Sequence, residues 1–395
     1  MIHSLCNYVI IHGNIFTGTK LELCIDSGVW VSDGKIKEIS RDSAKMLKSA
    51  RDKGIPCFDV RGAFVGPGLI DMHIHGCGGH DTGEYDKRAA IEDMAKFLCQ
   101  RGITSFQPAV VPDIATMHEV NEAWKSSEII RYHVTGIYNE GPFISLAKKG
   151  GLPEESIRDF DPVYLDKLIS YKIVRDGVER PLLGTMTFAP EIEGAATGRE
   201  MLESAGVKVA WGHSSSYAEQ IPAIKGAHFT HLFNAMNGID HHRPGLALIP
   251  FLDSFSDSTC ELIGDSVHVN PLAMKLVFEK IGTNRVCLIS DSMSAGGTGP
   301  GESVYLGREV VCDGMVSRYK ENGTLIGSAM MINDTSRHLV EKGFIQVDDI
   351  FRIASLNPAN VLGLEDRGAI SVGRRGDIIV LDKNLQVKEV FISRG

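Results

Sequence analysis

The sequence predicts an α/β protein: a (β/α)8 barrel of the TIM type, with a small β-sandwich domain formed by both chain termini. Three observations predict it. Short strand-like runs flank turns at both ends of the chain. Between them, eight short apolar runs alternate with amphipathic stretches of helical period, over roughly 290 residues, which fits a closed barrel better than an open doubly wound sheet. Residues able to bind metal or move protons recur directly after those runs, as they do at the carboxyl ends of barrel strands.

At the amino end, Tyr8-Val9-Ile10-Ile11 reads as a strand. Val29-Trp30-Val31 and Lys35-Ile36-Lys37-Glu38-Ile39 read as a hairpin turning at Asp33-Gly34, because a two-residue hairpin turn needs positive φ and Asp-Gly supplies it. At the carboxyl end, Asp377–Leu381 and Val387–Ile392 flank a polar turn. The expected division is residues 1–65 and 365–395 for the small β domain and 66–364 for the barrel. The eight apolar runs are Phe64–Met72, Ile103–Gln107, Val134–Tyr138, Leu183–Phe188, Val207–Trp211, His228–Leu232, Cys260–Ile263 and Arg285–Ser290. In Asp86–Arg101, Ile91, Met94 and Leu98 share one helical face and Gly102 follows as a C-cap. Asn270–Lys280 and Ser328–Lys342 read as helices too. No glycine-rich dinucleotide fingerprint follows the first run. Val304–Arg318, with Asp313-Gly314 as its turn, reads as a hairpin inserted after the eighth strand.

Composition narrows the functional classes. Of 395 residues, 43% are hydrophobic and 23% charged, ordinary for a folded globular chain. The formal net charge of −9 gives no electrostatic reason to hold nucleic acid or an anionic membrane. No CxxC pair occurs among the eight cysteines, and several lie inside apolar runs, so free buried thiols in a reducing compartment are expected. Met1 to Asn14 carries no basic stretch followed by a long apolar one, and no window is apolar enough to span a bilayer, so a cytoplasmic location is expected.

The first run ends in Asp71-Met72-His73-Ile74-His75-Gly76. Two residues apart on a strand, His73 and His75 face the same side and can reach one ion. Asn139-Glu140-Gly141-Pro142 follows the third run, Gly212-His213-Ser214 the fifth, and Thr230-His231-Leu232-Phe233-Asn234 ends the sixth. Gly264-Asp265-Ser266-Val267-His268 follows the seventh, and Ser290-Asp291-Ser292 ends the eighth. A lone histidine or glutamate is more often structural than a ligand. The recurrence at several strand ends, which converge in a barrel, is what points to a site.

These motifs carry a resemblance. Gly66–Gly76 resembles the opening signature of the amidohydrolase superfamily. Glu140-Gly141-Pro142-Phe143, Gly212-His213-Ser214, Thr230–Met236, Arg243-Pro244-Gly245-Leu246 and Ser290-Asp291 together resemble the N-acetylglucosamine-6-phosphate deacetylase family, and the tail from Gly368 to Asp377 matches the superfamily's return to its small β domain. The resemblance implies that Glu140, His213 and His231 hold the main divalent metal, with zinc first and iron, manganese or cobalt as alternatives. His73 and His75 are retained where family members vary, so the metal count is one ion or two. Asp291 is the implied catalytic proton carrier. Asn234, Ala235 and His268 are implied to contact substrate, and Arg243 to bind phosphate in the neighbouring subunit of a homodimer; on sequence alone Arg243 is equally a solvated surface charge. The implied substrate is N-acetylglucosamine-6-phosphate, with N-acetylgalactosamine-6-phosphate or another N-acyl sugar as alternatives.

Three stretches depart from the family. Tyr138 and Leu152 stand where it commonly has histidine, and Gly264-Asp265-Ser266 replaces the usual Ala-Asp-Gly. Leucine cannot donate a hydrogen bond, so any help to the acetyl carbonyl from that position is lost. The departures keep open an amidohydrolase acting on N-acyl amino acids or cyclic amides. A barrel that has lost catalysis is the non-enzymatic alternative, and the retained Asp291 with a full metal set argues against it.

Overall fold

Eight parallel strands, in chain order around one sheet, make the barrel: strand 1 (Leu69–Ile74), 2 (Ile103–Val110), 3 (Ile137–Glu140), 4 (Leu183–Phe188), 5 (Lys208–Trp211), 6 (His228–Phe229), 7 (Thr259–Ile263) and 8 (Val286–Ile289). The structure, a computed structural model, describes residues 1–18, 23–175, 177–221 and 225–394. The ends of strands 1 and 8 meet through backbone hydrogen bonds, Asp291 N to His73 O at 3.0 Å and His75 N to Ser292 O at 2.9 Å, which brings the first and last strand ends together. All eight expected runs supply a barrel strand.

Their boundaries shift for local reasons. The run Phe64–Met72 is two strands, because Phe64–Pro67 pairs with Tyr8–Phe16 and Ile378–Leu381 while Leu69–Ile74 begins the barrel. The break falls after Pro67, which has no donor for a ladder, and at Gly68, where a Cβ would overlap the Thr104 side chain. The third strand starts at Ile137 rather than Val134, because the Val134 N–H caps the helix Glu128–His133 by bonding Ile130 O. The sixth ends at Phe229, just before the backbone bends through positive φ at His231 and Phe233.

Lys87–Gln100 is a helix, and Gly102, φ 78°, follows its end with its N–H on Cys99 O at 3.0 Å. Pro271–Lys280 is capped by the Asn270 side chain accepting from Leu272 N. Ile332–Glu341 forms within the stretch expected from Ser328. After strands 5 and 6 the connections carry short 3-10 turns, Ala218–Gln220 and Leu246–Phe251, the latter containing Pro250. The expected hairpin after strand 8 is larger. Gly301–Tyr305, Arg308–Cys312, Val316–Tyr319 and Leu325–Ser328 form a four-stranded antiparallel sheet, of which Val304–Arg318 covers the middle.

The chain divides into two compact units, Met1–Ile70 with Leu98–Thr104 and Ser336–Gly395, and Asp71–Phe97 with Ser105–Thr335. In the first, strands from both termini form one sheet in the order Ile2–Ser4, Val387–Ile392, Ile378–Leu381, Phe64–Pro67, Tyr8–Phe16, Leu23–Ser32, Lys35–Ser40, with Cys57–Asp59 also paired to Tyr8–Phe16. Alternation sorts its faces: Tyr8 and Ile10 pack with Val29, Val31 and Phe391, whereas Val9 and Ile11 pack with Trp30, Met46 and Ala50. The Asp33-Gly34 turn has φ of 51° and 72° and joins Ser32 to Lys35 as expected. Among the described residues no helix is long and apolar enough to cross a membrane.

Candidate metal centre and pocket

Strand ends 1, 3, 5, 6 and 8 deliver their polar residues to one place. Glu140, His213 and His231 form one group able to hold an ion, and His73, His75 and Asp291 form a second; all six are buried. Glu140 lies between them. Its Oε1 is 2.8 Å from His213 Nε2 and 2.9 Å from His231 Nε2, and its Oε2 is 3.4 Å from His75 Nε2. Asp291 Oδ1 is 3.3 Å from His75 Nε2 and 3.7 Å from His73 Nε2.

The hydrogen bonds around these rings test whether they suit a cation. His213 Nδ1 donates to the Lys148 carbonyl at 2.7 Å. A carbonyl only accepts, so the Nδ1 proton is fixed and Nε2 is the nitrogen that faces Glu140 and His231 Nε2, 3.1 Å away. His73 Nδ1 likewise faces the Glu261 carboxylate at 3.1 Å, and its buried Nε2 has no hydrogen-bond partner among the described residues. Ring nitrogens and a carboxylate converging in a buried place fit a divalent cation of the zinc, iron, manganese or cobalt type.

The charges agree. Burial works against ionising Glu140, yet His213, His231 and His75 outweigh it and hold the carboxyl well below the usual range. Burial also opposes the Asp291 charge, and His73 and His75 overcome it. Burial disfavours protonated His231 and His75, but carboxylates dominate: Glu140 pushes His231 up to about 9, and Asp291 with Glu140 pushes His75 to about 10. Without an ion, these imidazoles gather protons where a cation would sit, so metal and protons compete for the same positions.

Both groups open into a cavity of about 180 Å³. Asn234, Ala235 and His268 line it, as do His75, Glu140, His213, His231 and Asp291. His268 is held by Asp265, whose Oδ2 takes the Nδ1 contact at 2.6 Å while Oδ1 accepts the backbone N–H of Val267 and His268. Arg243 is not at this cavity. It stacks on Tyr217 at 3.7 Å and lines a separate hollow with Asn237 and Asp240.

Leu152 reaches the cavity wall, so an apolar side chain does face the space at that position. Tyr138 does not. It stacks on His73 with ring centres 3.9 Å apart, and its hydroxyl is 3.1 Å from both Thr187 Oγ1 and Thr230 Oγ1 inside the barrel. Sequence reasoning missed Met293, Tyr305, Tyr319, Leu325 and Ile326 on the wall, because the inserted sheet that carries most of them reads as generic β structure. It also missed Glu261. Its signal was a lone carboxylate between Cys260 and Leu262 on a buried strand, where an unpaired charge is costly.

Comparison with known proteins follows the same lines. Residues 64–394 match the amidohydrolase family, and the chain belongs to it. It is 30% identical to the N-acetylglucosamine-6-phosphate deacetylase of Bacillus subtilis, covering 93% of this chain and 92% of that one. It is 31% identical to the N-acetylgalactosamine-6-phosphate deacetylase of Escherichia coli O157:H7, covering 93% of each. Among solved structures, the N-acetylglucosamine-6-phosphate deacetylase of Thermotoga maritima matches with a TM-score of 0.81 and 26% identity over 98% of both chains. A mutant of the Mycobacterium smegmatis deacetylase, in complex with N-acetyl-D-glucosamine-6-phosphate, matches with a TM-score of 0.82 and 25% identity over 98% of both.

Proposed function

We propose that this amidohydrolase removes the N-acetyl group of an amino-sugar phosphate, N-acetylglucosamine-6-phosphate first and N-acetylgalactosamine-6-phosphate second, giving the free amine and acetate. One observation carries the reading: Glu140, His213 and His231 converge on one point, and Asp291 faces the same cavity from the eighth strand. The relatives named above supply the substrate class.

Glu140, His213 and His231 would hold the main divalent cation, zinc being the first choice. His73, His75 and Asp291 offer a second position. A cation held by Glu140, His213 and His231 would lower the pKa of a water and polarise an amide carbonyl. Asp291, kept ionised, takes a proton from the attacking water and passes it to the departing nitrogen, which leaves poorly unless protonated. Asn234, the Ala235 backbone and His268 orient the sugar, and the Asp265 contact fixes the ring of His268. Leu152 lines the cavity but can give the carbonyl no hydrogen bond. Arg243 stands apart from its own cavity, which supports a role at the phosphate of a neighbouring subunit in a homodimer. Arginine suits phosphate because its planar fork bonds two oxygens. The described cysteines are all free, which supports a reducing, cytoplasmic setting.

A substrate panel tests this. Purified protein with divalent metal is expected to release acetate from one or both sugar phosphates. Hydrolysis of N-acyl amino acids or cyclic amides without activity on the sugars would replace the reading with another amidohydrolase activity.

A further inference from the structure

Glu261 lies on strand 7, fully buried, and faces the barrel interior below both ligand groups. Its Oε2 receives two contacts, His73 Nδ1 at 3.1 Å and the backbone N–H of His231 at 3.0 Å. Its Oε1 lies 3.4 Å from His228 Nε2, and His228 Nδ1 is 2.8 Å from Thr259 Oγ1, one pleat back on strand 7. His73 belongs to one ligand group and His231 to the other. A single carboxylate oxygen therefore touches both.

We propose that Glu261 is a positioning residue that ties the two ligand groups together, fixing the tautomer and ring of His73 in one and the backbone that carries His231 in the other. By accepting the hydrogen bond of His73 Nδ1–H it leaves Nε2 facing Glu140 and Asp291. A carboxylate behind a ligand imidazole also raises its basicity and stops it turning. At His231 the same oxygen accepts from a residue whose φ is 22°, a backbone that needs a partner to hold it. His228 completes the cluster and keeps the carboxylate from rotating away. None of this requires Glu261 to touch substrate.

The inference rests on the metal-dependent reading, and the test separates the two. Metal-stripped wild-type protein is titrated with cobalt alone, followed by absorbance and by elemental analysis after dialysis. Glu261→Gln keeps an acceptor for His73 and His231 but removes the charge; Glu261→Leu removes both. Cobalt affinity is expected to fall in the order wild type, Gln, Leu, by about 10–100-fold for the larger loss. In a His73→Ala background the Glu261→Gln penalty is expected to shrink to under about twofold, because residues acting through one another are not additive. A merely structural glutamate would give the same loss in both backgrounds, and that result would overturn the proposal. So would variants that bind cobalt as tightly as wild type. If wild type binds no cobalt, the metal reading fails as well. Circular dichroism checks folding, and if the Leu variant does not fold, the Gln pair decides alone.

Discussion

His213, His231 and Asp291 have φ of 48°, 22° and 47°, a region that side chains other than glycine rarely adopt. Such backbone costs on the order of 1–3 kcal/mol per residue and persists only where surrounding structure holds it. Here the holders are visible. Asp291 is pinned on both sides, its N–H to His73 O and its carbonyl to Ser328 N, each at 3.0 Å. After His213, Glu191 gathers the next three residues, accepting from the hydroxyls of Ser214, Ser215 and Ser216 and from Ser215 N. The side chains of His213, His231 and Asp291 all line the cavity. Asp291→Asn keeps shape but cannot carry the proton, so kcat is expected to fall by about 10²–10⁴-fold with the fold intact; steady-state kinetics beside circular dichroism read it, and unchanged kcat would contradict the role. Tyr138→Phe removes a hydroxyl from the Thr187–Thr230 pair, which still bond each other at 2.9 Å. The expected loss is therefore near the low end for a buried hydrogen bond, about 1 kcal/mol, read by urea unfolding. The histidines and Asp291 were legible because they punctuate strand ends. Glu191 and Glu261 were not, since neither motif nor period reveals that Glu191 gathers the serines after His213 or that the buried Glu261 stands behind His73.

At the scale of elements, the inserted sheet lends Tyr305, Tyr319, Leu325 and Ile326 to the cavity wall. Tyr305 faces His75, with its hydroxyl 3.3 Å from Nδ1, and Tyr319 donates its hydroxyl to Gly151 O at 2.9 Å. That second bond fixes the Gly150-Gly151-Leu152 wall against the sheet, where Ile326 already packs on Gly151. Tyr319→Phe releases the wall. KM is expected to rise by up to about tenfold, the worth of one such bond, with metal content unchanged; an unaltered KM would mean the wall does not touch substrate. The barrel strands were legible from their apolar runs and the Asp33-Gly34 turn from its residues. The extent of the inserted sheet was hidden because Leu325–Ser328 is short and merges in sequence with the helix beyond it. The split at Gly68 was hidden because Phe64-Val65 and Leu69-Ile70 are both apolar and strand-like. Which sheet each half joins depends on distant partners.

For the whole molecule, a formal charge of −9 does nothing to attract a phosphorylated sugar, so the phosphate needs a local cation. Arg243 stacks on Tyr217, away from its own cavity, and is proposed to serve a partner subunit. If so, Arg243→Ala and Asp291→Asn proteins, each weak alone, should complement when mixed and reassembled, since half of the sites in a mixed dimer are intact. Random pairing would restore about a quarter of wild-type activity; no recovery in verified mixed dimers would place Arg243 outside the site. The central claim is that the converging histidines and carboxylates work through a bound cation on an N-acetyl amino-sugar phosphate. The direct measurement is acetate release from N-acetylglucosamine-6-phosphate and N-acetylgalactosamine-6-phosphate before metal removal, after it, and after zinc is added back. Activity that disappears with the metal and returns with zinc is the expected result. Undiminished hydrolysis by fully stripped protein, or no acetate from either sugar under any loading, would contradict it.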